Sequence, residues 1–308
     1  MVHIAELDTD YVFCITASAD FRCGGELCFA ACLSGLLRSD DGGITWLDVY
    51  TPFDLKLPTP TMAVAVASSY ANERIIVAGL AGGLLRSVDD GQHWESIYFS
   101  SPPSTVSAIV ISPDVINDGL MFAATLDDGV FCSRNHGQDW DAWNFGLLDR
   151  AVLSLAISPS FSFDSTLVVG TSSGIFRSTN GGVSWCEVPT PTGIEVALAL
   201  SFSSNYKQGS VIYAGTESHG LLRSTDSGFS WARLAENELV GSVTALYSSE
   251  ENLFAIVDGK VFLSTDDGIL FTCLQHKELS GVEASAVYVP IGQKCVLVGT
   301  ANGGIIRL

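Results

Sequence analysis

Charge is scarce in this sequence, and basic charge most of all. Lys and Arg together number 15 against 34 Asp and Glu, in 308 residues, which leaves a net charge of −19. A chain so acidic repels phosphate backbones, and no Lys/Arg cluster offsets the repulsion, so nucleic acid is not an expected partner. Long apolar runs are missing too. A stretch such as GIEVALALSF, from Gly193 to Phe202, is broken by Glu195 and falls well short of the roughly 20 residues that span a bilayer as a helix. No membrane insertion is therefore expected. The opening, MVHIAELDTD, has no basic segment ahead of an apolar run; it predicts no secretion signal and a cytoplasmic location. The five histidines (His3, His93, His136, His219, His276) lack metal-ligand spacing. No P-loop, dinucleotide fingerprint or nucleophile elbow is present, so neither cofactor nor metal is expected.

Hydrophobic residues, by contrast, make up 47% of the chain, with 30 glycines. That profile excludes disorder, which needs low hydrophobicity and high charge. The eight cysteines suit buried thiols in a reducing compartment, since disulfide frameworks belong to short secreted chains. Cys14, Cys23, Cys28 and Cys32 come nearest to a metal cluster. Cys28 and Cys32 have the even spacing that shares one face of a strand, but paired C-x₂-C knuckles are lacking.

An internal repeat decides the fold class. The line GLLRSDDGGITW from Gly35 recurs as GLLRSVDDGQHW from Gly83, GVFCSRNHGQDW from Gly129, GIFRSTNGGVSW from Gly174, GLLRSTDSGFSW from Gly220 and KVFLSTDDGILF from Lys260. Its serine falls at Ser39, Ser87, Ser133, Ser178, Ser224 and Ser264, at intervals of 48, 46, 45, 46 and 40 residues. These match the period of a four-stranded blade. A seventh start, GGIIRL from Gly303, keeps the period to the last residues. Ahead of each line stand two short β-prone runs, such as Val106–Ser112 and Leu120–Thr125, whose near-continuous apolarity suits strands covered on both faces. The expected fold is all-β: one seven-bladed propeller domain over residues 1–308. Its seventh blade lacks a fourth strand, and Val2–Leu7, within residues 1–8, is expected to supply it, because open sheet edges are avoided.

The line S-x-D-x-G-x-x-W resembles the Asp-box, or BNR repeat, of the sialidase-like superfamily. That repeat also occurs in xyloglucan-cleaving propellers, sortilin-type receptors and photosystem II assembly factors. The resemblance covers nearly the whole chain and implies the propeller fold; these families share the box and not the chemistry. Asp41, Asp89, Asp226 and Asp266 are expected to accept backbone N–H bonds across the turn from third to fourth strand, with Asn135 and Asn180 doing the same through an amide oxygen. Gly43, Gly91, Gly137, Gly182, Gly228 and Gly268 fit a position needing positive φ. Trp46, Trp94, Trp140, Trp185 and Trp231, with Phe271 in the sixth blade, are expected to pack at the blade edge. The boxes recur on every blade, so they cannot converge on one substrate. Arg38, Arg86, Arg177 and Arg223 hold one offset before the box and are expected to pair locally; they are no sialidase arginine triad.

By the same resemblance, ligands belong on the face carrying the loops between second and third strands and between blades. Those loops hold Asp127, Asp128, Asp149, Arg150, Glu217 and His219, the candidate binding residues, together with Asp54, Lys56, Glu236, Glu238, Lys277 and Glu278. A glycoside hydrolase needs two carboxylates across the scissile bond, and Asp127 or Asp128 with Glu217 is the pair on offer. The sialidase arginines and the tyrosine–glutamate nucleophile are not evident. The function expected is a non-enzymatic protein-binding platform, an accessory or assembly subunit of a larger complex. The alternative is a carbohydrate-active protein, a glycoside hydrolase or glycan-binding lectin.

Overall fold

The computed structural model describes residues 10–18, 27–50, 59–67, 74–99, 104–191, 193, 195–203, 211–234, 239–249, 252–289, 295–302 and 304–308. Within them the chain builds seven antiparallel sheets, each from strands consecutive in sequence. The first comprises β1 (Val12–Ala17), β2 (Cys28–Cys32), β3 (Leu36–Ser39) and β4 (Leu47–Asp48). The pattern restarts at β5 (Thr61–Val66), β9 (Val106–Ile111), β13 (Val152–Ile157), β17 (Ala197–Phe202), β21 (Val243–Ser248) and β25 (Ala284–Tyr288). These sheets are the blades of a seven-bladed β-propeller. The chain divides into two compact units, Met1–Phe122 with Ser133–Trp140 and His276–Leu308, and Ala123–Cys132 with Asp141–Gln275.

Six blades have four strands, and the seventh has three among the described residues: β25, β26 (Leu297–Thr300) and β27 (Ile305–Arg307). The expected contribution of residues 1–8 to that blade lies outside the described residues. The first and last blades nevertheless pack directly. Ser285 Oγ donates to the Val12 carbonyl at 2.6 Å. A Cβ added to Gly299 would lie 2.6 Å from Val12 Cγ1. Gly79, Gly170 and Gly215 meet the next blade's first strand in the same way, at 2.5, 2.4 and 2.6 Å. Glycine at these positions allows the backbones to approach closely.

The second strands are buried, as in Cys28–Cys32 and Ile212–Thr216, save for the half-buried Leu80 that ends the second blade's. Alternation explains their continuous apolarity. Cys28, Ala30 and Cys32 pack with Ala286 and Leu297 of the last blade, whereas Phe29 and Ala31 pack with Val64, Ile76 and Ala78 of the second. Each strand residue therefore meets a core, whichever way it points. Cys28 and Cys32 share a face as their spacing predicts. Cys14 joins the other cluster and donates its thiol to Val64 O. Burial pushes the Cys14 and Cys32 thiols up, away from thiolate. Cys23 lies outside the described residues. Among the described residues no group of three or more His, Cys, Asp or Glu side chains is placed to hold a metal ion.

Two features escape the sequence pattern. In six blades the pairing of first and second strands slips by one residue near the start of the first strand, for example between Val152 and Ser154. Such bulges bend and twist a strand locally. Two single-turn helices, α1 (Val115–Asp118) and α2 (Phe161–Asp164), join the first two strands of the third and fourth blades.

The repeated turn is closed by its serine and by its acid or amide. In the fifth blade Ser224 Oγ donates to Asp226 Oδ1 at 2.8 Å and accepts from Gly228 N at 2.8 Å, while Asp226 Oδ1 accepts from Ser230 N at 2.9 Å. Asn135 and Asn180 accept from Asp139 N and Ser184 N at the same 2.9 Å. The six box glycines have φ between +76° and +88°. The residue before each is left-handed as well, even His136 (φ 60°) and Ser227 (φ 62°), where a side chain is present. Consecutive left-handed residues turn the backbone N–H groups inward, where Ser and Asp oxygens collect them. Trp46, Trp140, Trp185 and Trp231 are buried and Trp94 is half-buried.

The expectation of local pairing for the arginines holds at Arg38, which bonds Asp40 at 2.8 Å, and at Arg86, whose Nη1 lies 3.7 Å from Glu95 Oε2 in its own blade, but Arg86 and Arg177 also reach further. Arg86 Nε donates to His136 O at 2.6 Å and Arg177 Nε to Ser227 O at 2.5 Å. Both acceptors are the left-handed residue in the next blade's turn, whose carbonyl points outward from the turn. These arginines stitch neighbouring blades.

Candidate functional site

In an antiparallel blade the hairpin between second and third strands shares an edge with the lead-in to the first strand; the repeated turn lies at the opposite edge. The candidate residues gather on the hairpin edge. Asp127 and Asp128 form the third blade's hairpin, between β10 (Met121–Thr125) and β11 (Gly129–Ser133). Asp149 and Arg150 lead into β13. Glu217 and His219 form the fifth blade's hairpin, between β18 (Ile212–Thr216) and β19 (Leu221–Ser224).

Hydrogen bonds tie some of these together. Thr125 Oγ1 accepts from Asp128 N at 3.0 Å and donates to Gly129 O at 3.0 Å, which closes the hairpin. Asn144 Nδ2 donates to Asp128 O at 2.8 Å, and Gly129 N donates to Arg150 O at 3.0 Å. The third hairpin and Arg150 are thus adjacent, with Asp127 and Arg150 exposed. Asp149 accepts from Ala151 N at 2.9 Å and from Ser172 Oγ at 2.7 Å. Partial desolvation works against its ionised form, but these bonds outweigh it and hold the carboxyl below the usual range. Its lone pairs serve the fold. Glu217 is exposed, and its N–H donates to Val196 O at 3.0 Å. It stands on a different hairpin from Asp127 and Asp128, two blades along. Of the further loop residues, Lys277 and Glu278 are exposed in a 3-10 turn, while Asp54, Lys56, Glu236 and Glu238 lie outside the described residues.

The residue that organises the fifth blade's hairpin is Glu195, which sequence reasoning passed over. It is 3% exposed. Its Oε1 accepts from Ser218 N and Ser218 Oγ, each at 3.4 Å, and its Oε2 abuts His219 Nδ1. Oε2 sits against the imidazole without the geometry of a hydrogen bond. Burying a carboxylate is costly unless it is paired, and His219 provides the pair. The imidazole, 42% exposed, is thereby held by Nδ1. Asp10 and Ser34 in the first blade and Asp149 and Ser172 in the fourth repeat the same acid-to-hairpin bond without a histidine. The one signal in the sequence was the lone charge inside GIEVALALSF.

Large apolar side chains also stand in solvent. Phe145 and Leu148, in the connection from the third to the fourth blade, are 79% and 82% exposed, and Phe163 on α2 is 89% exposed.

No protein-family model matches the chain, and no curated protein matches it. Solved structures do. The extracellular domain of BT4673 from B. thetaiotaomicron is 16% identical with a TM-score of 0.74, and the match covers all of this chain and 39% of that one. The structure of YCF48 bound to D1 peptide is 14% identical with a TM-score of 0.72, over 100% of this chain and 95% of that one. An ancestral GH74 enzyme is 17% identical with a TM-score of 0.75, over 99% of this chain and 45% of that one. The chain thus spans less than half the length of two of these proteins, 39% and 45%. At such identities the likeness establishes the fold, and one fold hosts unrelated functions.

Proposed function

We propose that the chain is a non-enzymatic, cytoplasmic protein-binding platform, an accessory or assembly subunit of a larger complex, built on Asp-box turns. The exposed large apolar residues Phe145, Leu148 and Phe163 carry this reading. Apolar and aromatic side chains left in water mark surfaces that partners cover. The acids of the hairpin edge, which Phe145 and Leu148 share, support it as well. Asp149 and Glu195 spend their carboxylates on Ser172, Ser218 and His219, so two of the acids best fixed in place hold loops and are not presented to a substrate. The structure of YCF48 bound to D1 peptide offers a parallel for a peptide on this fold.

Chemical cross-linking of the native protein in its source cells, followed by mass spectrometry, tests the reading. A reproducible protein partner is expected, and the complex should survive joint replacement of Asp127, Asp128 and Glu217 by their amides. A protein that cross-links to nothing, or one that turns over a defined glycan and loses this activity in the triple variant, overturns it.

A further inference from the structure

Directly after the second left-handed residue, the repeated turns of the fourth, fifth and sixth blades place Val183, Phe229 and Ile269 in solvent, 54%, 63% and 64% exposed. The second and third blades place Gln92 and Gln138 there, also exposed, on turns with the same Ser-to-Gly and Asp- or Asn-centred bonds. The turn itself does not call for an apolar side chain. The first blade's Ile44 shares the apolar character, but it belongs to the other compact unit. In blades four to six the choice runs over three consecutive turns.

Those turns are neighbours in space. The Arg177 guanidinium of the fourth blade lies 3.9 Å over the Phe229 ring while its Nε holds Ser227 O. Tyr213 OH of the fifth blade donates to Asp267 O in the sixth blade's turn at 3.1 Å. On the fourth blade α2 extends the row. Gly181 N donates to Ser165 O at 2.9 Å, and a Cβ on Gly181 would lie 3.7 Å from the Phe161 ring, so Phe163 stands beside the Val183 turn. Leu270, 61% exposed, extends the row at its other end. Asp226, Asp266 and Asp267 are interleaved with these side chains. Asp226 is slightly desolvated, but the Ser230 and Ser224 bonds outweigh this and hold it below the usual carboxylate range; backbone donation from Leu270 does the same for Asp266. Both are ionised at neutral pH.

We propose that this arc docks a basic, apolar-faced peptide segment of a partner protein. Its hydrophobic side chains would seat on Phe163, Val183, Phe229 and Ile269, and its Lys or Arg side chains would reach the exposed Asp267, drawn also by the charge of Asp226 and Asp266, whose oxygens already serve the turns. The proposal rests on the platform reading and gives it a face and a partner chemistry. Complementary charge selects this occupant. An anionic lipid surface would meet the −19 net charge without a basic cluster to offset it. A second copy would set the same carboxylates opposite one another.

The test compares the native protein with Val183→Gln/Phe229→Gln/Ile269→Gln, which keeps the charge and uses the residue that blades two and three carry. Phe229→Gln alone is the second variant should the triple one melt early. The probes are an amphipathic helical peptide of Leu and Lys, the same helix with Glu for Lys, and phosphatidylcholine–phosphatidylserine vesicles. The Lys helix should bind the native protein and bind the triple variant at least about tenfold more weakly, a loss of about 1.4 kcal/mol. The Glu helix and the vesicles should not bind. Equal affinity for both proteins, tighter binding of the Glu helix, or vesicle binding that the substitutions abolish would overturn the proposal. So would a native dimer that the triple variant loses in sedimentation. If the partner cross-linked in cells is retained by the triple variant, the arc is wrong and the platform stands. If the native protein has no partner, both fall.

Discussion

Ser285 Oγ donates to the Val12 carbonyl at 2.6 Å and joins the last blade to the first across 273 positions of sequence. Beside it, Gly299 leaves no room for a side chain against Val12. A larger residue there must push the two blades apart. Gly299→Val should destabilise the protein by about 1–3 kcal/mol, the usual cost of overpacking. Ser285→Ala, which removes one buried hydrogen bond, should cost about 1 kcal/mol. Urea unfolding monitored by tryptophan fluorescence checks both; a neutral Gly299→Val would show that the seam yields more readily than its geometry implies.

The repeated turn ranks its own residues. Ser224 Oγ serves three groups at once, accepting from Gly228 N and Asp226 N and donating to Asp226 Oδ1, and Gly228 is buried. Ser224→Ala orphans a buried N–H and should cost about 1–3 kcal/mol. Asp226→Asn keeps the acceptor, as Asn135 and Asn180 do in their own turns, and should cost less than half as much. Thermal melts of the two variants decide the order, and the reverse order would place the stabilisation in charge.

Those turns were legible in the sequence because six copies of one line restrict what any single residue can be doing. The Ser–Asp–Gly chemistry, the middle strands and the four-strand period all repeat, so each copy checks the others. Glu195 was not legible, because its partners Ser218 and His219 are more than 20 positions away and no other blade carries that trio. The reach of Arg86 and Arg177 to the next blade was likewise hidden: each arginine stands three residues before the Asp or Asn of its own turn, an offset that suggests a local pair, and Arg38 does pair locally, with Asp40. Repetition exposes what the blades share and hides how one blade grips the next. In the candidate loops the acid-to-hairpin bond recurs at Asp10–Ser34, Asp149–Ser172 and Glu195–Ser218, but no shared line of sequence marks it, so the sequence offered residue types there and no geometry.

Acid should loosen the turns in a defined window. Asp89 is held at about 2: slight desolvation raises it, but the backbone and imidazole of His93 and the Ser87 hydroxyl outweigh that. Asp41, Asp226 and Asp266 are lowered as well. A carboxyl whose folded pKa lies below its unfolded value of about 3.9 binds protons more readily when unfolded. Its contribution is complete above about pH 4 and is lost as pH falls toward 2. The melting temperature should therefore decline below about pH 4. Replacing Asp89 with Asn, which does not titrate, should make that decline shallower; an unchanged slope would mean that other carboxylates dominate it.

The Glu195–His219 contact makes the sharpest demand on the loops, because the acid is 3% exposed and Ser218 depends on it through both N–H and hydroxyl. Glu195→Ala removes the acceptor that both donors of Ser218 share and one of two neighbours of the imidazole Nδ1, the other being Ser218 Oγ at 3.2 Å. It should cost about 1–3 kcal/mol and leave the fifth hairpin looser, with faster amide exchange at Ser218 and His219 than at Ser172. Glu195→Gln restores an acceptor without the charge and should recover most of the stability. Glu217→Gln, an exposed change on the same hairpin, should stay within about 0.5 kcal/mol of the parent. Hydrogen exchange on these three variants separates a buried anchor from a surface acid. If Glu195→Ala behaved like Glu217→Gln, Glu195 would have no part in holding the hairpin, and His219 would be positioned by its own turn.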